Sequence, residues 1–344
     1  MKRSIRLFLL LLLLIAGGSL ALFAYRTVFL PAEWWHEYLP AGEGELVPVI
    51  VKAGISAREA AKAFEAAGVL TKGNASGLAR WMTRFGIDRK FRPGLYNIRP
   101  GSAWEVARQL EKAEPSVSSV TLVPGTDIFS FPKVFSPPLS KEEMEELLSK
   151  KDLFPEEISG LLPSSAEGTL AFLLPETVHI AELTGEETVR AAAKLWWERV
   201  GRKIRPEKRT EKFLLSTAVI ASLIEREVLW DEERSLVAGV IKNRREKKMP
   251  LQIDATVVYA WKKEGKDLKR VLYKDLEIDS PYNTYIIQDI PPAPICMPSE
   301  KSWLAALEPE DTTFLYYVAD KDGRHLFSDT FRGHRKNIEK VRAK

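Results

Sequence analysis

Phe213-Leu214-Leu215-Ser216-Thr217-Ala218-Val219-Ile220-Ala221-Ser222-Leu223-Ile224-Glu225-Arg226-Glu227 is an almost wholly apolar run that ends in two carboxylates. No turn residue interrupts 213–229, so the pattern predicts one buried helix with both acids near its C-terminal end. A carboxyl group set in an apolar wall has its charged form disfavoured, so its pKa rises and it can stay protonated near neutrality. A general acid needs that property, which makes this helix the first place to look for chemistry. The plainer alternative is a solvated or ion-paired helix end, with Arg226, Arg234 and Arg244 available as partners. Residues two apart on a helix point about 200° apart, so Glu225 and Glu227 cannot share one groove. Glu227 continues the row Phe213, Thr217, Ile220, Ile224, and Glu225 continues Leu214, Ala218, Ala221. Both rows are apolar, and periodicity leaves the choice open.

The chain has 344 residues, room for a membrane element and about two globular domains. Its 45% hydrophobic and 28% charged residues are ordinary for a folded protein. The net charge of +4, with no basic stripe interleaved with aromatics, argues against nucleic-acid binding. Lys2, Arg3 and Arg6 precede an uncharged, Leu-rich run over 7–25, which is closed by Arg26. A run of that length crosses a bilayer core, and basic residues in front favour an N-terminus left in the cytoplasm. The alternative is a cleaved signal peptide, since Ser19-Leu20-Ala21 is an acceptable small-x-small site. The run continues beyond that site, which favours a retained single-pass anchor over 1–26; either way the body is exported. The lone Cys296 can form no intrachain disulfide, and the four histidines lack metal-ligand spacing, so no metal or other cofactor is expected.

Residues 27–45 read as a juxtamembrane linker, with Trp34-Trp35 placed either at the interface or against the first domain. From Leu46 the pattern is strand (Val47 to Val51), then a helix from Ala57 to Ala67 with a Ser56/Glu59 capping box. A second helix (Ala75 to Phe85), a strand entered at Pro93-Gly94 and a third helix (Ala103 to Lys112) complete a β-α-α-β-α unit over 46–115. The second part, 116–344, opens with a strand at Ser119 to Val123. A small insertion near 138–160 carries a charged, exposed helix from Lys141 to Lys151. Residues 167–177 read as loop and short strand, 186–200 as an amphipathic helix, and 234–245 as a helix. Gln252, Asp254 and Thr256 alternate along an apparent strand, which puts them on one face. A strand over 313–320, a turn at Lys321-Asp322-Gly323 and a returning strand near His325 to Ser328 form a hairpin. The class is α+β.

Tyr282-Asn283-Thr284-Tyr285 offers amide, hydroxyl and aromatic groups together, a combination suited to sugar hydroxyls and sugar faces. The bland readings are an edge-strand face for Asp254 and Thr256, and a loop that satisfies its own backbone for 282–285. Taken in order along the chain, these blocks resemble the MltG/YceG family of membrane-anchored endolytic murein transglycosylases. Ala221 to Glu227 resembles the family's A-S-[IL]-[IV]-E-[KR]-E core, and Leu251 to Tyr259 its L-Q-[ST]-D-[PA]-T-[VI]-x-Y. Ser280 to Tyr285 resembles S-P-Y-N-T-Y, and Ile290 to Ile295 resembles L-P-P-x-P-I. Gly323, His325, Phe327, Thr330 and His334 resemble a terminal G-x-H-x-F-x-x-T-x-x-x-H. Ile253, Ala293 and Met297-Pro298-Ser299 depart from the usual residues, which bears on subsite detail around the groove.

The resemblance implies a LysM-like first unit and a catalytic second one, facing peptidoglycan glycan strands outside the cytoplasmic membrane, with cell-wall synthases as further partners. It implies that Glu227 is the acid, with Glu225 structural and paired to Arg234 or Arg244. Gln252, Asp254, Thr256, Asn283 and Tyr285 are the expected sugar-binding or charge-stabilising residues. One glutamate acting as acid and then base suffices to close a 1,6-anhydro ring. Two other readings compete. A non-catalytic murein-binding scaffold that recruits synthases needs only the anchor and the first unit, and a true hydrolase needs a second carboxylate such as Glu176 or Asp254.

Overall fold

The computed structural model describes residues 17–23, 44–52, 55–70 and 72–343. The expected anchor and linker therefore lie almost wholly outside the described residues; of the anchor only 17–23 are described, and they are helical. Among the described residues no helix is long and apolar enough to cross a membrane. The chain divides into two units that part between Ser118 and Ser119.

In the first unit, β1 (Val47–Val51) pairs antiparallel with β2 (Gly94–Ile98), Val47 opposite Ile98 and Val51 opposite Gly94. Alternation sends Val49, Val51, Tyr96 and Ile98 inward, where α1 (Ala57–Ala66), α2 (Ala75–Arg84) and α3 (Ala103–Lys112) cover them with Phe64, Leu78, Met82, Val106 and Leu110. Reciprocal capping boxes start α1 at Ser56/Glu59 and α3 at Ser102/Glu105, each worth about 1 kcal/mol. Gly94 has φ +148°, and a Cβ there would meet Pro115 Cβ at 2.6 Å, so only glycine lets the chain enter β2 this way. These elements follow the order β-α-α-β-α.

The second unit is built mainly from helices. Strand β3 (Ser118–Thr121) pairs with β4 (Thr177–Ile180). Between them lie α4 (Lys141–Ser149), α5 (Glu156–Ser159) and α6 (Ala166–Leu170). The stretch expected as an exposed insertion is part of the core: Met144, Leu147, Leu148, Leu153, Phe154 and Ile158 are buried in the same apolar cluster as the rest of the unit. The charge of α4 sits on one face only. Helix α7 (Gly185–Arg199) places Trp196 against Phe172 and Trp303, ring centroids 4.9 and 5.2 Å away.

Helix α8 (Glu211–Glu227) runs through the middle, capped by the Thr210 hydroxyl. It packs against α9 (Arg234–Glu246), α10 (Asp254–Lys263) and α11 (Glu300–Leu307). Leu214, Val219, Leu223 and Ile224 are fully buried, each contributing about 1.5–3 kcal/mol. The predicted strand at 252–259 is instead the start of α10, with Ile253 as the residue before its first turn and Gln252 at φ +52°. Its run of β-branched residues imitates a strand, but Val257, Tyr259 and Ala260 bury a helical face.

The chain ends in a hairpin, β5 (Tyr316–Ala319) antiparallel to β6 (His325–Ser328), followed by α12 (Phe331–Arg342) packed on both strands. The approach to β5 lies along α9, where Asn243 Nδ2 donates to the carbonyls of Thr312 (2.6 Å) and Phe314 (3.0 Å). Gly239 permits that approach, since a Cβ there would stand 2.4 Å from the Glu310 carbonyl oxygen. Alanine is the better helix former by about 1 kcal/mol. Gly239→Ala should nevertheless destabilise the protein by about 1–3 kcal/mol, because backbone must move. Chemical denaturation measures this, and an unchanged or raised midpoint would refute the tight packing.

Candidate active site

Two residues apart on α8, Glu225 and Glu227 meet opposite environments. Glu225 turns to α11, where its Oε2 accepts from Ser299 N (2.9 Å), Ser299 Oγ (2.5 Å) and Ser302 Oγ (2.8 Å), with Arg234 Nη1 at 3.4 Å. Arg234 Nη1 in turn donates to Ser302 Oγ at 2.6 Å. Glu225 therefore sits at the N-terminus of α11, its Oε2 held by three hydrogen bonds and Arg234, with 8% of its side chain exposed. Ser299, one of the departures expected to alter the groove, instead holds this acid from behind.

Glu227 is the last residue of α8 and opens into a cleft of about 500 Å³. Arg244, Gln252, Asp254, Tyr285, Tyr317 and His325 line the same cleft. The residue is partly accessible along that opening, while its carboxyl is packed closely enough for burial to dominate. Loss of solvent pushes its pKa up to about 7; the Tyr317 hydroxyl opposes the rise, the charge of Asp254 adds to it, and Arg226 opposes it. Tyr317 Oη donates to Glu227 Oε2 at 3.1 Å. A proton exchangeable near neutrality, facing an open cleft, is the arrangement that acid–base transfer requires.

The other expected site residues divide. Gln252 and Asp254 reach the cleft because the chain turns through a left-handed conformation at Gln252, held by Gln252 N donating to Thr284 O at 3.0 Å. Asp254 then occupies the first turn of α10, where a negative group is favoured, and accepts from Tyr285 Oη at 2.5 Å. Thr256 and Asn283 are not brought to the cleft. Both are fully buried: Thr256 shares a 2.9 Å hydrogen bond with Thr284, and Asn283 donates to the carbonyls of Leu276 (2.8 Å) and Ile278 (2.9 Å). They fix the loop that presents Tyr285. Glu176 lies elsewhere, paired with Arg199 at 2.8 Å.

Sequence reasoning passed over Tyr317, Arg226 and Arg244 as site residues. Arg244 braces the cleft floor, its guanidinium donating to the carbonyls of Leu315 (2.6 Å), Pro250 (3.1 Å) and Leu251 (2.8 Å). The signal for Tyr317 was its place on a predicted hairpin strand, one face of which had to turn inward. Among the described residues no group of three or more His, Cys, Asp or Glu could hold a metal ion.

The pattern of the YceG-like family matches residues 49–340. The chain belongs to the YceG-like family. A crystal structure of a yceG-like protein from Listeria monocytogenes resembles this YceG-like chain with a TM-score of 0.54 and 25% identity, covering 86% of this chain and 100% of that one. The endolytic murein transglycosylase of Bacillus subtilis (strain 168) is 50% identical over 121 residues, 35% of this chain and 33% of the relative. The protein of the same name from Streptococcus pneumoniae serotype 2 (strain D39) is 34% identical over 122 residues, 35% of this chain and 22% of the relative. The chain thus spans about a third of the first relative's length and under a quarter of the second's.

Proposed function

We propose that this YceG-like chain is an endolytic murein transglycosylase that cuts the MurNAc–GlcNAc bond within glycan strands and leaves 1,6-anhydroMurNAc ends. The observation that carries the reading is the Glu227 carboxyl, its pKa near 7, opening into a cleft lined by hydrogen-bonding groups. In this mechanism protonated Glu227 gives its proton to the glycosidic oxygen as the bond to C1 breaks. The resulting carboxylate takes the proton of the muramoyl C6 hydroxyl, whose oxygen bonds to C1 and closes the anhydro ring. Glu227 ends protonated, and no water is consumed. Asp254 offers negative charge to the oxocarbenium-like centre, while Gln252 and Tyr285 hold sugar hydroxyls. The names of the relatives support the same substrate.

In this reading residues 1–26 anchor the protein in the cytoplasmic membrane by one pass, with the N-terminus inside and the catalytic unit outside. The first unit is a LysM-like module over 46–115, and cell-wall synthases are partners. A hydrolase is the second reading, favoured by Asp254 standing in the same cleft as Glu227. Digestion of isolated murein by the full chain, analysed by mass spectrometry, separates them. Anhydro ends are expected; reducing ends would convert the reading to hydrolysis, and intact murein would leave a binding scaffold.

A further inference from the structure

We propose that Tyr317 is a positioning residue for Glu227: braced by the Glu233–His325 pair, its hydroxyl occupies Oε2 and leaves Oε1 as the oxygen that moves the proton. The inference rests on the acid–base role of Glu227 proposed above. Among the described residues the Tyr317 hydroxyl has Glu227 as its one hydrogen-bond partner, at 3.1 Å. If the carboxyl donated to the phenol instead, the buried phenolic proton would be left without an acceptor. Burial first, and then the neighbouring Glu227, hold the phenol far above its ordinary pKa, so it keeps its proton throughout. The phenol is thus a permanent donor, and the acid proton resides on the other oxygen.

The brace is equally specific. Glu233 lies between α8 and α9, in the turn that follows the catalytic helix. Its carboxylate accepts from His325 Nδ1 at 2.7 Å and from His325 N at 3.1 and 3.2 Å. The His325 ring meets Tyr317 edge to face, centroids 5.0 Å apart at 83°. Trp230 Nε1 adds a bond to Asp322 O at 2.9 Å in the hairpin turn. The segment just beyond Glu227 is therefore pinned to the strand pair that carries Tyr317, and neither can shift alone.

A hydrogen bond donated to a carboxylate is stronger than one donated to a neutral carboxyl. Tyr317 thus opposes the effect of burial and makes Glu227 a readier proton donor than its apolar setting alone would. The groups that face Glu227 are Tyr317 from β5, Asp254 from α10 and Arg226 from α8. Arg244 from α9, Tyr285, His325 from β6 and His334 from α12 line the cleft around them.

The test is the titration of Glu227 itself, followed by carbon NMR on carboxyl-labelled full chain, the signal assigned by its absence in Glu227→Gln. Tyr317→Phe keeps the ring, and hence the packing, but removes the donor. Its midpoint is expected about one pH unit above wild type, with the alkaline limb of the pH–rate profile moved the same way and the optimum rate lowered about tenfold. Glu233→Gln is expected to move the midpoint in the same direction by less. An unchanged midpoint in Tyr317→Phe overturns the positioning role, and an unchanged midpoint in Glu233→Gln alone overturns the brace. A wild-type chain that makes no anhydro ends sinks the transglycosylase reading instead, while the titration remains decisive for the hydrogen bond.

Discussion

Glu227→Gln is expected to abolish release of anhydromuropeptides from isolated murein and, above neutral pH, to make the protein more stable. The amide keeps the shape of the side chain but can neither give nor take the proton. Acid–base catalysis by a positioned side chain is typically worth 10²–10⁴-fold; with both proton transfers assigned to Glu227, a loss of about 10³-fold or more is expected. The stability effect follows from linkage. The folded carboxyl titrates near 7 against an ordinary 4.5, so the folded state binds its proton more tightly. The contribution of this group is fully favourable below about pH 4.5 and is lost as pH rises to about 7. Above that, wild type carries a penalty on the order of 2–3 kcal/mol, discounted for the opening to solvent, and the glutamine variant does not. Thermal melts at pH 5 and pH 8 read this directly. A variant no more stable than wild type at pH 8 would show that burial does not raise the carboxyl's pKa, and full residual activity would move the acid elsewhere.

Glu225→Ala is expected to act in the opposite sense: large destabilisation, with the chemistry per folded molecule retained. Removing this acid leaves Arg234, 90% of whose side chain is buried, with the half-exposed Asp231 as its remaining carboxylate at 3.0 Å, and takes the acceptor from the Ser299 amide and two hydroxyls. Breaking a buried ion pair from one side costs about 3–5 kcal/mol, or roughly 6–20 °C in melting temperature for a unit of this size. Replacing both partners, as in Glu225→Met with Arg234→Met, should recover most of that loss. Measured with a folded-fraction correction, activity in Glu225→Ala should stay within a few-fold of wild type. A loss comparable to that of Glu227→Gln in a folded variant would show that the two acids work together.

The contrast between these acids marks where the sequence stops being legible. The buried helix, both carboxylates, the first-unit order and the terminal hairpin all follow from apolar periodicity, capping residues and a glycine turn. Which acid faces the cleft depends on what packs against each row of α8. That is decided by Ser299 and Arg234, remote in sequence from one another, and no periodicity along one helix reveals it. Gln252 to Tyr259 was misread for a different reason. Alternating polar and β-branched residues fit a strand locally, but the turn at Gln252 and the Thr256–Thr284 hydrogen bond favour a helix. The same interaction explains why Thr256 holds the loop instead of lining the cleft, and the Leu276 and Ile278 carbonyls hold Asn283 there likewise. Tyr317 was hidden because its partner lies 90 positions earlier in the chain.

Glu227 is also where seventeen helical residues end. The peptide dipoles of α8 add head to tail, and their negative pole falls on this last turn, which disfavours a second negative charge there. Moving the same carboxyl to the opposite end of an equally apolar helix would reverse that contribution. The strength of the acid is thus set partly by the backbone, through the point at which the chain stops coiling.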